Sequence, residues 1–94
     1  MEGYTYPLDL DWSQSEMVAV VNMWEAVEKA YEEGIEREQL LTRYQKFKEV
    51  VKSIGEERTL GREFEEVSGY SLYRVMQEVR KTTAPVIKMK GRKV

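Results

Sequence analysis

No cysteine and no histidine occur among the 94 residues. The first absence excludes a disulfide-stapled secreted fold and thiol nucleophiles. The second excludes Ser/His/Asp triads, and the two together exclude zinc sites built on Cys or His. A di-iron bundle fails too, because its Glu-x-x-His motifs need histidine. Long apolar runs are also lacking, so no segment reaches the roughly 18 residues that a membrane span requires. The polar, acidic start carries no basic stretch followed by an apolar run, so no leader peptide is expected. A cytoplasmic protein that does not engage the membrane is the expectation. Proline occurs only twice, at Pro7 and Pro85, and the two bracket a long stretch with helical patterning.

What is present describes one small domain. Hydrophobic content is 41% and charged content 34%, a well-solvated globular balance. A chain of this size buries roughly 60–65% of the surface its unfolded form exposes, so its core is thin. The net charge of −2 hides an asymmetry. All 17 acidic residues lie in residues 1–79, against nine Lys and Arg, while residues 80–94 hold six Lys and Arg and no acid. A basic tail on an acidic body can touch nucleic acid, a neighbour, or its own body.

Hydrophobic spacing and end signals predict four helices, over about 14–33, 37–53, 56–68 and 72–81. The first opens with a capping box, Ser13 and Glu16, and stops at Gly34. Its stripe is Met17, Val20, Val21, Trp24, Val27 and Tyr31. The second carries Leu40, Leu41, Tyr44, Phe47, Val50 and Val51, continues to Ile54, and is expected to end at Gly55. The third carries Leu60, Phe64 and Val67 and stops at Gly69. The fourth, capped by Ser71, carries Leu72, Val75, Met76 and Val79. The fold class is therefore all-α: a small four-helix array built on an antiparallel helical hairpin, with an extended N-terminal arm.

The short link at Gly34 folds the two long helices back on each other. One register aligns Tyr31 with Leu40, Val27 with Tyr44, Trp24 with Phe47, Val20 with Val51 and Met17 with Ile54. The same register places Glu28 opposite Arg43, each within about 40° of its helix's apolar stripe. An unpaired charge on a buried seam is costly, so these two are expected to form a structural ion pair.

The arm "DLDWSQSE", residues 9–16, begins like a calcium loop, with Asp9, Asp11 and Ser13 at alternate positions. The sixth and twelfth positions of such a loop must be Gly and Glu, and here they are Gln14 and Val20. The helix-start reading covers every residue instead, with Trp12 at the staple position before the cap. Tyr4, Tyr6, Leu8, Leu10 and Trp12 alternate with other residues, so the arm is expected to cover core along one face. Residues 1–83 then form the domain and residues 84–94 a basic tail. Val86, Ile87 and Met89 among its lysines allow a short strand or a docked segment, and a loose tail is the leading expectation.

Candidate chemistry is sparse. Glu25-x-x-Glu28 and Glu63-x-x-Glu66 have the spacing by which all-α pyrophosphohydrolases hold Mg²⁺, a weak pattern in a chain this rich in Glu. No catalytic, cofactor-binding or metal-binding residue is assigned and no cofactor is expected. The corner from Arg62 to Lys81 looks like a helix-turn-helix. Its first helix carries Glu63, Glu65 and Glu66 where a phosphate backbone would want positive charge. Tyr70, Tyr73, Arg74 and Gln77 near that corner form the candidate interaction surface, since Tyr and Arg are enriched at hot spots. The favoured function is a non-enzymatic module that binds an unidentified protein or a second copy of itself. The alternatives are a nucleic-acid binder using the corner and tail, and a Mg²⁺-dependent enzyme acting on phosphorylated compounds.

The segments "YTYPLDLDWS" (residues 4–13), "WEAVEKAYEEG" (24–34) and "EFEEVSGYSLYR" (63–74) stand in this order. Together they make the chain resemble the YktA-like uncharacterised protein family 0223 of low-GC Gram-positive bacteria. The resemblance covers about residues 4–80 and implies a small all-helical cytoplasmic protein. It implies no reaction, ligand or site.

Overall fold

A computed structural model of the chain describes residues 4–90. Four helices follow one another: α1 (Gln14–Glu32), α2 (Arg37–Val50), α3 (Ile54–Ser68) and α4 (Leu72–Lys81). Two short strands, β1 (Ile35–Glu36) and β2 (Val86–Ile87), complete the order. The fold is all-α with one two-stranded addition. Among the described residues, no helix is long and apolar enough to cross a membrane.

Local chemistry explains the helix ends. The Glu16 N–H donates to Ser13 Oγ at 3.2 Å, and the Ser13 N–H donates to Glu16 Oε1 at 2.8 Å, completing the capping box. Gly34 (φ +98°) and Gly69 (φ +82°) follow α1 and α3 in the left-handed region, where a Cβ is disfavoured. Ser71 caps α4 by accepting from the Arg74 N–H at 3.1 Å.

The boundary between α2 and α3 differs from expectation. α2 stops at Val50, and α3 begins at Ile54, before Gly55. Ser53 causes this, because its hydroxyl accepts the Glu56 N–H at 3.0 Å and caps a new helix. Gly55 therefore lies inside the first turn of α3. Ile54 leaves the seam that would have set it on Met17 and stands 64% exposed. Val67, expected in the α3 stripe, is also exposed, at 44%.

The hairpin of α1 and α2 closes on Trp24. Its ring meets Phe47 edge-on, with centroids 5.6 Å apart, and stacks on Phe64 of α3 at 4.6 Å and 12°. Val20, Val27, Leu40 and Val51 are fully buried around this centre, with Val75 and Val79 from α4. The N-terminal arm covers the same core. Tyr6 and Trp12 pack against it, Tyr4 lies edge-on to Phe64, and the Trp24 indole N–H donates to the Pro7 carbonyl. Leu10 points away into solvent.

The tail corrects the expectation of a loose segment. β2 pairs antiparallel with β1, Ile35 opposite Ile87 and Glu36 opposite Val86. The Arg37 N–H donates to the Pro85 carbonyl, and the Met89 N–H to the Ala30 carbonyl, both at 2.8 Å. Ile87 is 1% exposed. Residues 84–90 are thus a strap built into the domain, while residues 91–94 of the proposed tail lie outside the described residues. Arg37 secures the strap's approach, since its guanidinium donates to the carbonyls of Val79 and Thr82 at the C-terminal end of α4.

A test of this strap compares its two strand residues. Ile87→Ala should cost about 2–5 kcal/mol, the usual range for a buried Ile or Leu cut to Ala. Val86→Ala, at a half-exposed position, should cost under about 1 kcal/mol. Urea denaturation of the two variants checks the contrast, and equal small losses would mean that the strap does not dock.

Candidate functional site

The α3–α4 corner and α4 place the four candidate surface residues unequally. Tyr73 is 68% exposed, and its hydroxyl accepts from Gln77 Nε2 one turn later at 3.2 Å. Arg74 is exposed beside them, so Tyr73, Arg74 and Gln77 form one outward strip. Tyr70 is not part of it. That ring is only 6% exposed, stacks on Tyr31 at 4.6 Å and 12°, and donates its hydroxyl to Glu32 Oε2 at 2.7 Å. It fastens the α3–α4 corner to the end of α1, a structural task.

Glu28 and Arg43 are not brought together. Glu28 accepts hydrogen bonds from the Tyr6 hydroxyl at 2.8 Å and from the Tyr4 hydroxyl. Arg43 donates instead to the Asn22 carbonyl at 3.2 Å. The arm delivers two phenols to the carboxylate, and they satisfy it where an arginine was expected. The ion pairs among the described residues are elsewhere, Lys48–Glu57 at 2.7 Å and the exposed Lys81–Glu78 at 3.8 Å.

The other carboxylate candidates have plain settings. Asp9 accepts the Asp11 N–H at 2.9 Å in a local turn ahead of the capping box. Glu25, Glu63 and Glu66 are exposed. Among the described residues, no three acids come together in a way that could hold a metal ion.

Two of the concavities that flank α4 bear on binding. One is a basin of roughly 800 Å³, lined by Arg74, Glu78 and Lys81 of α4 and by Lys88, Met89 and Lys90 of the strap. The other is a groove of roughly 700 Å³ between α3, α4 and the end of α2. Its floor is Gly61, Leu72 and Met76, and its walls include Ile54, Tyr73 and Tyr44. Gly61 packs on Leu72 there, and a Cβ at this position would make ordinary contact with Leu72 Cδ2 at 3.8 Å. Arg58, Arg62 and Arg80 stand at the rim. Sequence reasoning placed Tyr73 on a surface but missed the groove, because its lining comes from three helices. The arginines one turn apart on α3, Arg58 and Arg62, were the available signal.

Tyr44 ties this groove to the core. Its hydroxyl donates to Glu57 Oε2 at 2.8 Å, and Lys48 holds the other oxygen of Glu57. Burial first, then the hydrogen bond to Glu57, pushes the Tyr44 phenol up to about 12, with Arg80 opposing in the other direction. Tyr4 and Tyr6 are raised further still, again by burial first and then by their bonds to Glu28. A phenol whose folded pKa exceeds its unfolded value stabilises the fold fully below pH about 10. That contribution is lost as pH climbs through the folded value. The urea midpoint should therefore fall steeply between pH 10 and 12. Tyr44→Phe should flatten part of that fall, and an unchanged slope would show that Tyr44 does not carry it.

The family model described as "Uncharacterised protein family (UPF0223)" matches residues 3–88. A UPF0223 protein of Enterococcus faecalis is 58% identical, covering 95% of this chain and 97% of that protein. One from Bacillus mycoides is 49% identical over 92% of this chain and 98% of its own length. One from Listeria welshimeri is 50% identical over 92% and 96%.

Proposed function

The chain belongs to the uncharacterised protein family UPF0223, and on that footing we propose that it is a non-enzymatic protein-interaction module. The docking face is the groove between α3 and α4. The single observation that carries this reading is the exposure of Ile54 and Tyr73, 64% and 68%, as walls of one concavity with an apolar floor. A thin core gains from every apolar side chain it can bury. Two large ones left outside, facing one groove, are accounted for by an occupant that covers them. Side chains suited to hot spots, tyrosine and arginine, stand around the same groove.

In-cell photocrosslinking from benzoylphenylalanine at position 54 tests the reading. It should yield a discrete protein adduct that Tyr73→Glu reduces at least about fivefold, since a buried unpaired charge costs more than that factor requires. The same group at Val18, exposed on α1 and outside the groove, should yield no such adduct. Equal adducts from both positions, insensitive to Tyr73→Glu, would remove the groove from consideration.

A second reading, nucleic-acid binding through the corner and tail, is favoured by one feature. The strap lays Lys88 and Lys90 beside Arg74 and Lys81 in the basin on the other flank of α4. Glu65 and Glu78 in the same lining weigh against it. Under the favoured reading, a labelled duplex oligonucleotide is not retained at physiological salt. Retention that falls steeply with rising salt would put nucleic acid first.

A further inference from the structure

The groove has a shape, a floor and a charge, and the three narrow its occupant. The following rests on the interaction-module reading above and concerns what the partner presents. α3 contributes Ile54, Arg58, Gly61, Arg62 and Glu65, residues three and four apart on successive turns of one face. From Ile54 to Glu65 the helix rises about 16 Å. α4 supplies Leu72, Tyr73, Met76 and Arg80 along the facing side. The lining is made of helix side chains, with neither β1 nor β2 in it. An extended peptide would therefore find no strand edge to extend, whereas an apolar trough between two helices suits a third helix laid along it.

The rim sets the sign. Lys48 is neutralised by Glu57, which also takes the Tyr44 hydroxyl. Arg58, Arg62 and Arg80 have no acidic partner among the described residues. Arg58 precedes Gly69 by eleven residues and Arg80 follows it by eleven, so both stand toward the open end of the corner, away from Glu65. On a chain of net charge −2, three arginines outside any ion pair among the described residues stand around this groove, against Glu65 and the already paired Glu57. Arginine presents a planar fork suited to bidentate capture of carboxylates.

The geometry points to an acidic amphipathic helix of a partner protein as the occupant. Its apolar residues, at i, i+3 or i+4 and i+7, lie on Gly61, Leu72 and Met76 and between Ile54 and Tyr73. Its Asp or Glu residues meet Arg58, Arg62 and Arg80. This sign is opposite to the one the whole chain's net charge would select, so long-range attraction alone cannot mimic it.

Two labelled helical peptides of about four turns, identical in their leucine anchors and flanked by either Glu or Lys, provide the test. Their binding to the full chain is followed by fluorescence anisotropy at physiological salt. The Glu-flanked peptide should bind at least about tenfold tighter than the Lys-flanked one. The variant carrying Arg58→Glu and Arg62→Glu, both at exposed positions, should reverse that order, and Tyr73→Glu should weaken both. Circular dichroism confirms that each variant keeps its helices. Equal binding of both peptides, or a preference that charge reversal leaves alone, overturns the acidic partner while the docking groove stands. So does the absence of peptide binding when Tyr73→Glu still abolishes the crosslink from position 54. Self-association that is lost in Tyr73→Glu would name a second copy as the occupant and overturn the inference. Absence of peptide binding together with crosslinking indifferent to Tyr73→Glu overturns the groove itself.

Discussion

Trp24 is the contact on which the remaining structure depends. Its ring is shared by α2 through Phe47 and by α3 through Phe64, and its indole N–H holds the arm through the Pro7 carbonyl. A buried indole needs an acceptor for its N–H, and the arm supplies one. The aromatic contacts continue outward from this centre, through Phe64 to Tyr4 and Tyr6 on one side and through Phe47 to Tyr44 on the other. Small domains rarely have enough aliphatic volume to cross-link four helices and an arm. Here large rings span those distances, each touching two or three elements at once.

A second constraint follows from these rings, because tyrosines carry hydroxyls into half-buried places. Four of these hydroxyls find a glutamate on another element, while that of Tyr31 accepts the Ser71 N–H. Tyr4 and Tyr6 reach Glu28, Tyr44 reaches Glu57, and Tyr70 reaches Glu32. A carboxylate accepting from a phenol makes a stronger hydrogen bond than two neutral groups do. It satisfies Glu28 and Glu32 without an ion pair among the described residues, while Glu57 takes Lys48 as well. Several of the chain's 17 acids are accounted for in this way, and its arginines remain available for other work. Arg37 closes the end of α4, and Arg58, Arg62 and Arg80 stand at the groove.

Features decided by neighbours in the chain were legible, and features decided at a distance were not. The capping box at Ser13 and Glu16, the left-handed stops at Gly34 and Gly69 and the stripe through Trp24 depend on residues within one or two turns. The facing of Trp24 and Phe47 followed from the short link between their helices. The partners of Glu28 lie 22 and 24 residues away in an arm whose alternation sets Tyr4 and Tyr6 on one face but does not say which side chain they meet. The strap was an open alternative whose partner was not legible for the same reason, since Ile87 pairs with Ile35, 52 residues away in the chain. Tyr70 and Tyr73 are chemically alike and three apart. Their opposite fates follow from the corner, which turns the first onto Tyr31 before α4 begins.

The misplaced boundary between α2 and α3 concerns the groove directly. Apolar periodicity runs unbroken through Val50, Val51 and Ile54, and by that measure Ile54 belongs in the hairpin seam. Ser53 followed three residues later by Glu56 is a competing signal, and the cap wins because it satisfies a helix donor that would otherwise lack a partner. The consequence is geometric. Ending α2 at Val50 lets α3 start at Ile54, which brings Ile54, Arg58 and Arg62 along one side of the trough that α4 faces. Had α2 continued to Ser53, Ile54 would be sealed in the seam on Met17 and the groove would lose a wall. The groove proposed as the docking face is thus a product of the place where local capping overrode hydrophobic period, a departure from the simplest pattern of the kind that functional sites often show.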